Sequence, residues 1–146
     1  MIEPVSKLNL NEVIPLIRKY QEFYKIADIC DFRNTEFFSQ FGESNPAGCQ
    51  FIFRESGVVV GFATVYFTFT TSITSKIAIM NDLYTSPDQR GKGIGRKLIE
   101  HCRAFAASNG SARLQWVTAP DNELAQKLYD SLQTNKSEWK FYTYNT

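Results

Sequence analysis

The chain has one histidine, His101, and only three cysteines among 146 residues. A single histidine excludes multi-histidine metal sites and leaves a nucleophile–His–acid triad no choice of base. Cys30, Cys49 and Cys102 are widely spaced, form no CxxC pair and, being odd in number, close no disulfide framework. They read as buried or idle thiols of a reducing compartment. An excess of charge is lacking as well. Sixteen Lys+Arg against fifteen Asp+Glu leave a net charge of +1, so no global basic field points to nucleic acid or to a membrane surface. No apolar run approaches the ~20 residues of a membrane span. The longest, Val58 to Phe69, is broken by Gly61, Thr64 and Thr68. Met1-Ile2-Glu3-Pro4 has neither a basic n-region nor an apolar h-region, so no signal peptide is expected and a cytoplasmic location is.

What is present is enough for a core. Hydrophobic residues make up 43% of the chain and phenylalanine alone contributes 12, which excludes disorder. The length predicts one domain over 1–146, burying roughly 70% of the surface its unfolded chain exposes. Ile2 to Val5 reads as a short strand. Val13, Leu16, Ile17, Tyr20 and Tyr24 then recur at helical spacing behind Asn9 and Glu12, which are placed like a capping box. Pro15 falls in the first turns, where a missing N–H costs little. A second helix is expected over Thr35–Phe41. Strands are expected at Gln50–Arg54 and Val58–Thr68 around the turn Glu55-Ser56-Gly57, and at Ile77–Thr85. A helix follows with Ile94, Leu98, Cys102, Phe105 and Ala106 on its apolar face, then a strand at Leu114–Thr118. A helix from Asn122 to about Leu132 and a last strand at Trp139–Tyr144 complete an α+β reading with no repeats or linkers. Trp116 and Trp139 read as sheet packing, and His101 as a surface or satisfied core residue.

The chemistry concentrates in Arg90-Gly91-Lys92-Gly93-Ile94-Gly95, between a strand and a helix. Glycines there let the backbone approach a ligand and permit positive φ. A helix N-terminus offers unpaired N–H groups and partial positive charge, which suit a phosphate. Arg90, Lys92, Arg96 and Lys97 crowd the same turn. It is not a P-loop, because Lys92 sits between glycines and no Ser or Thr follows. It is not a dinucleotide fingerprint either, because the third glycine arrives one residue early.

Arg90-Gly91-Lys92-Gly93-Ile94-Gly95 resembles the Arg/Gln-x-x-Gly-x-Gly/Ala signature of the GNAT superfamily of acetyl-CoA-dependent N-acetyltransferases. Asn81-Asp82-Leu83-Tyr84-Thr85-Ser86-Pro87 looks like that family's lead-in strand. Asn122-Glu123-Leu124-Ala125-Gln126-Lys127-Leu128-Tyr129 matches its second signature, Asn-x-x-Ala-x-x-x-Tyr. The resemblance implies a mixed, mostly antiparallel central sheet flanked by helices. In it the strand before the glycine turn and the strand after the following helix splay into a V-shaped slot. It further implies acetyl-CoA as co-substrate and no metal. Leu83, Tyr84 and Thr85 would hold the pantetheine arm as an added strand would. Arg90, Gly91, Lys92, Gly93, Ile94, Gly95 and Arg96 would hold the pyrophosphate, and Asn122 would reach the cofactor arm while capping its helix.

An alkyl amine with pKa ~10.4 is less than about 0.1% free base at pH 7, so a base is useful. Asp82, beside the slot, is the best-placed candidate, either as that base or as an anchor for the substrate ammonium. Related polyamine acetyltransferases carry acidic residues in this stretch, where this chain has Asn81. Tyr129 matches the family's tyrosine acid, which protonates the departing thiolate; as a helical aromatic it also suits the core. Tyr20, Tyr24 and Phe38 are candidates for the acceptor side, since early helices line the pocket in related enzymes. The expected activity is transfer to a primary amine of a small molecule. A polypeptide amine, or a non-catalytic acyl-CoA-binding module, is the alternative. No nucleic-acid or membrane partner is expected, and the family's pairing of sheet edges admits a homodimer.

Overall fold

The computed structural model describes residues 1–146. Its elements follow from which side of one sheet each residue is drawn to. Strand β1 (Ile2–Pro4) leads to helices α1 (Leu10–Phe23) and α2 (Asp31–Phe38). Strands β2 (Gly48–Glu55), β3 (Val58–Thr70) and β4 (Ser75–Thr85) form an antiparallel meander. A short 3-10 turn (Pro87–Gln89) precedes α3 (Ile94–Ser108), followed by β5 (Leu114–Gln115) and α4 (Glu123–Asp130). The sheet runs β1-β2-β3-β4-β5, antiparallel except for the last pair. This is the mixed, mostly antiparallel α+β architecture expected from the sequence. No helix is long and apolar enough to cross a membrane.

The β2–β3 turn is the expected hairpin, with Ser56 at φ 49° and Gly57 at φ 82°. Positive φ at both central residues is the mirror-image turn whose twist matches that of paired strands. Alternation then sorts the strand side chains into two cores. Phe51, Phe53, Ala63 and Val65 pack under Leu98 and Cys102 of α3. Ile52 and Phe62 pack under Val13 and Ile17 of α1. An irregularity in β4 changes the sorting. Thr64 is opposite Asp82 but Val65 is opposite Met80, so Asn81 is an extra residue. Ala78 and Met80 face the α3 core, whereas Tyr84 joins the α1 core. A single-residue slip reverses every side chain beyond it.

Several expectations are corrected. Asn9 and Glu12 form no capping box. Asn9 accepts from the Ser6 N–H at 2.7 Å and donates to Glu3 and Pro4, while Glu12 is taken by Arg54. Helix α2 begins at Asp31 and ends at Phe38, where Thr35–Phe41 was expected. An Arg18–Asp31 ion pair and reciprocal Gln21–Asn34 amide bonds dock its first turn on α1. Strand β5 stops at Gln115, short of Thr118. Trp139–Tyr144 forms no strand, and Trp139 is 88% exposed, so it does not pack on the sheet. That segment has the alternation of a strand but no edge of its own chain pairs with it.

Phe62 is fully buried where α1 crosses β3 and β4. Phe62→Ala should cost about 3–5 kcal/mol in chemical denaturation. A loss well under 1 kcal/mol would mean that this core does not hold the α1 face.

Candidate active site

The main chain of β4 has two unequal edges at its C-terminal end. Toward β3 it is paired through to Thr85, opposite Gly61. Toward β5 the pairing covers only Ala78–Leu114 and Ile79–Gln115. From Met80 to Thr85 that edge is open, and a V-shaped slot begins where β5 departs. Leu83, Tyr84 and Thr85 lie along it. Gly61 keeps the opposite side tight, since a Cβ there would meet the Tyr84 carbonyl at 2.8 Å.

Below the slot the chain enters the glycine turn. Gly91 and Gly93 have φ of +79° and +78°, and Gly93 is the N-cap of α3. Such φ values favour glycine. From Gly91 to Arg96 no main-chain N–H donates to another group of the protein. The successive free donors sit at the positive end of a helix dipole. Arg90, Lys92, Arg96 and Lys97 all lie outside the ion pairs of the protein. Arg90 donates to the Thr85 carbonyl at 3.1 Å, Lys92 to Gln89 at 2.8 Å and Arg96 to Ser131 at 2.7 Å, which leaves their charges unneutralised. This turn has the donors and charge to hold a pyrophosphate. Gly95 supplies contact rather than flexibility, because a Cβ there would meet Leu128 of α4 at 2.9 Å.

The side chains named from the sequence come from both faces of the sheet, with Tyr20 and Phe38 packed on the α1 core and Tyr129 against the α3 core. Asp82 is buried, with Oδ1 lacking any partner. Burial raises its pKa from 3.8 to about 6, against the help its charged form receives from Thr64 and Asn81. Tyr20 is raised by burial and then by the Asp82 charge, with Tyr24 and Tyr129 also contributing. Tyr129 is raised to about 12 by burial and by Tyr24. One carboxylate and three phenols therefore share one electrostatic neighbourhood, with the Tyr20 and Tyr24 rings 4.9 Å apart. Phe38, like Tyr20, packs against the α1 core. Asn122 caps α4, its Oδ1 accepting from the Ala125 N–H at 3.2 Å.

Other positions take quieter roles. His101 stacks edge-on against Phe51 at 4.4 Å, and burial lowers its pKa. Cys102 is buried under α3 with its thiol pushed up by burial, which suits no nucleophile. Sequence reasoning missed three residues. Trp116 lies edge-on to Tyr129 at 5.4 Å, although it was read only as sheet packing. Gln50 and Thr64 are buried in the sheet beside Asp82. Their signal was a polar side chain inside an apolar strand, visible only once register is known.

A sheet whose β4 edge opens above a turn of free amides and cations has the shape and charge for a phosphate-bearing cofactor. The model of the acetyltransferase (GNAT) family matches residues 14–133. The chain is 38% identical over 143 residues to the D-amino-acid N-acetyltransferase of Saccharomyces cerevisiae, covering 95% of this chain and 86% of that protein. It is 28% identical to the thialysine N-epsilon-acetyltransferase of Bos taurus over 140 residues, 90% of this chain and 82% of that one. An aminoglycoside N-acetyltransferase solved in complex with CoA superposes with a TM-score of 0.80 at 19% identity, over 99% of this chain and 93% of that one. The chain belongs to the GNAT family of N-acetyltransferases and is an acyltransferase.

The Asp82 pKa has a consequence for stability. The folded state holds this proton more tightly than the unfolded chain, so stability falls as pH rises from about 4 to about 6 and is level above. Two units correspond to about 3 kcal/mol. Urea unfolding at about pH 4 and about pH 7 should show wild type losing stability in that interval relative to Asp82→Asn; parallel curves would contradict the raised pKa.

Proposed function

We propose that the protein transfers the acetyl group of acetyl-CoA directly to a primary amine of a small molecule, within a ternary complex, and that residues 1–146 act as one such domain. The observation that carries this reading is the free edge of β4 above a turn of unpaired amides and cations. Asp82 and Tyr129, each coupled to Tyr20, are the groups we assign to the proton transfers. The amides and cations from Arg90 to Arg96 take the pyrophosphate, and the main chain of Leu83, Tyr84 and Thr85 takes the pantetheine arm. Asn122 reaches the same arm while capping α4. An aminoglycoside enzyme of the same fold is solved in complex with CoA, which accords with acetyl-CoA as the co-substrate.

Tyr20, Tyr24 and Phe38 form the acceptor side. Phenol rings favour a cation near their faces, and Asp82 offers it a charge. Above pH 6 Asp82 is ionised; it binds the acceptor ammonium and takes its proton, directly or through water. With a pKa about two units above that of an ordinary carboxylate, it is the stronger base for that step. Tyr129 remains protonated at every working pH. Its hydroxyl donates a hydrogen bond to the sulfur and gives up the proton as the C–S bond breaks. The S. cerevisiae and B. taurus relatives are named for amino-acid substrates, which favours a small amine over a polypeptide. Three free thiols, two of them buried, accord with a reducing, cytoplasmic setting.

Thiol release from acetyl-CoA should be measured across polyamines, amino acids, aminoglycosides and lysine peptides. Turnover is expected with a small amine, and Tyr129→Phe should lower kcat by roughly 10²–10⁴. Unchanged kcat removes Tyr129 as the acid. Tight acetyl-CoA binding without turnover on any amine would make the protein a binding module instead.

A second copy of the chain is the partner we infer. Trp139, Phe141, Tyr142 and Tyr144 are each at least 87% exposed, and β5 leaves one edge of the sheet unpaired. An aromatic segment with strand alternation and an open edge complement each other between two protomers. Light scattering should give twice 16.7 kDa, and Trp139→Glu with Phe141→Glu should give the monomer; a monomeric wild type would overturn the inference.

A further inference from the structure

Three polar residues cross the sheet in a single row on the α1 face. Gln50 of β2 is opposite Thr64 of β3, and Thr64 is opposite Asp82 of β4. Their exposures are 0%, 4% and 8%. The rest of that face is apolar, with Ile52 beside Gln50 and Phe62 beside Thr64. Burying such groups among apolar side chains costs free energy unless their hydrogen bonds are made. A row of valines and leucines would hold the sheet together at lower cost, so packing does not account for it.

The bonds in the row run in one direction. Gln50 Nε2 donates to Thr64 Oγ1 at 3.1 Å. An amide nitrogen has only hydrogens to offer, so the Thr64 oxygen is the acceptor and its own hydrogen is left free. The next group in the row is Asp82, whose ionised carboxylate can only accept. The free Thr64 hydrogen can therefore be turned toward Asp82, whose Oδ1 has no partner, and a polarised chain would strengthen the bond it forms there. Gln50 lies two strands from the slot, at the blind end of the row.

We propose that Gln50 and Thr64 are positioning residues for the reaction: Gln50 orients the Thr64 hydroxyl, and that hydroxyl holds the Asp82 carboxylate in place and in its ionised form on the acceptor side of the slot. The inference rests on the reading of Asp82 as the group that must be ionised for turnover. The titratable groups coupled to Asp82 are Tyr20 of α1, on its own face, and Cys102 of α3, across the sheet, while Tyr24 and Tyr129 couple to Tyr20. Burial pushes Tyr20, Cys102 and Tyr129 up, so they hold their protons at neutral pH, and none of these groups is a cation. The Thr64 hydroxyl and main chain and the Asn81 amide are therefore the groups that favour the charged form.

The test reads Asp82 directly, by ¹³C-carboxyl NMR titration of the full chain, and separately by the pH dependence of kcat/KM. Thr64→Val keeps the shape and removes the hydroxyl. It should raise the Asp82 titration by about one to two pH units, the size of a hydrogen bond to a charged group. The acid limb of kcat/KM should move up equally, and Thr64→Ser should restore both. Gln50→Leu should raise the titration by less than Thr64→Val does, and should add nothing in a Thr64→Val background, since its effect passes through Thr64. If Thr64→Val does not fold, Gln50→Leu against wild type gives the same reading. An Asp82 titration unmoved by these changes overturns the relay. A titration that moves while the acid limb stays in place supports the relay but refutes the role given to Asp82, so the two failures are told apart.

Discussion

One extra residue in β4 governs the site. At Asn81 the antiparallel register with β3 slips, and just before it, at Ile79, the parallel pairing with β5 ends. The slip turns Tyr84, and with it Asp82, onto the face covered by α1. Without it, Asp82 would follow Met80 into the α3 core, an apolar layer with no route to an acceptor. The end of pairing frees the other edge of the strand as a binding surface. A bulge both bends a strand and re-aims its side chains, so the slot and the carboxylate beside it have a common origin. The strength of the β3–β4 meander makes this affordable. The two strands remain paired from Thr70–Ser75 to Gly61–Thr85 on either side of the bulge.

Charge is distributed with the same economy. Arg54 holds Glu3 at 2.8 Å and Glu12 at 2.7 Å, tying β1 and α1 to β2, and Arg18 holds Asp31 across α1 and α2. The turn from Arg90 to Lys97 keeps its cations outside ion pairs. A chain of net charge +1 thereby presents a local positive site for one anionic group. Exposed ion pairs contribute little to stability, and free surface cations cost little, so selection for binding can place them here without weakening the fold.

How much of this was legible follows from the range of each interaction. The glycine turn, the β2–β3 hairpin and the apolar faces of α1 and α3 depend on neighbours in sequence, and their residues announced them. Asp82 and Tyr129 were singled out through the motifs that carry them, and the roles given to them are proposals. The capping box at Asn9 and Glu12 was a sound local reading overruled by distant Arg54, whose guanidinium binds Glu12 through two oxygens. The start of α2 was missed for the same reason, since Gln21 and Arg18 of another helix determine it. Gln50 and Thr64 lay beyond sequence reading altogether. Their relation to Asp82 exists only in the register of three strands, and the Asn81 slip makes that register impossible to count from the sequence alternation.

The raised pKa of Asp82 joins these threads in one trade-off. Full solvation would make the carboxylate an ordinary one, ionised at all relevant pH but a weak base. Burial without polar neighbours would hold it protonated through neutral pH, where it could neither attract an ammonium nor accept its proton. At about 6 it is ionised at neutral pH and yet more basic than a surface carboxylate. Burial sets the upward direction, while Thr64 and Asn81 limit it. The bulge contributes to the limit, because it turns Asp82 onto the face of Thr64 and supplies Asn81 as the extra residue. The resulting cost in stability falls on the α1 face, where Phe62, Val13 and Ile17 are fully buried and best able to offset it. Fully buried apolar side chains thus share a face with a buried carboxylate, as expected if the fold holds there a charge that the proposed reaction needs.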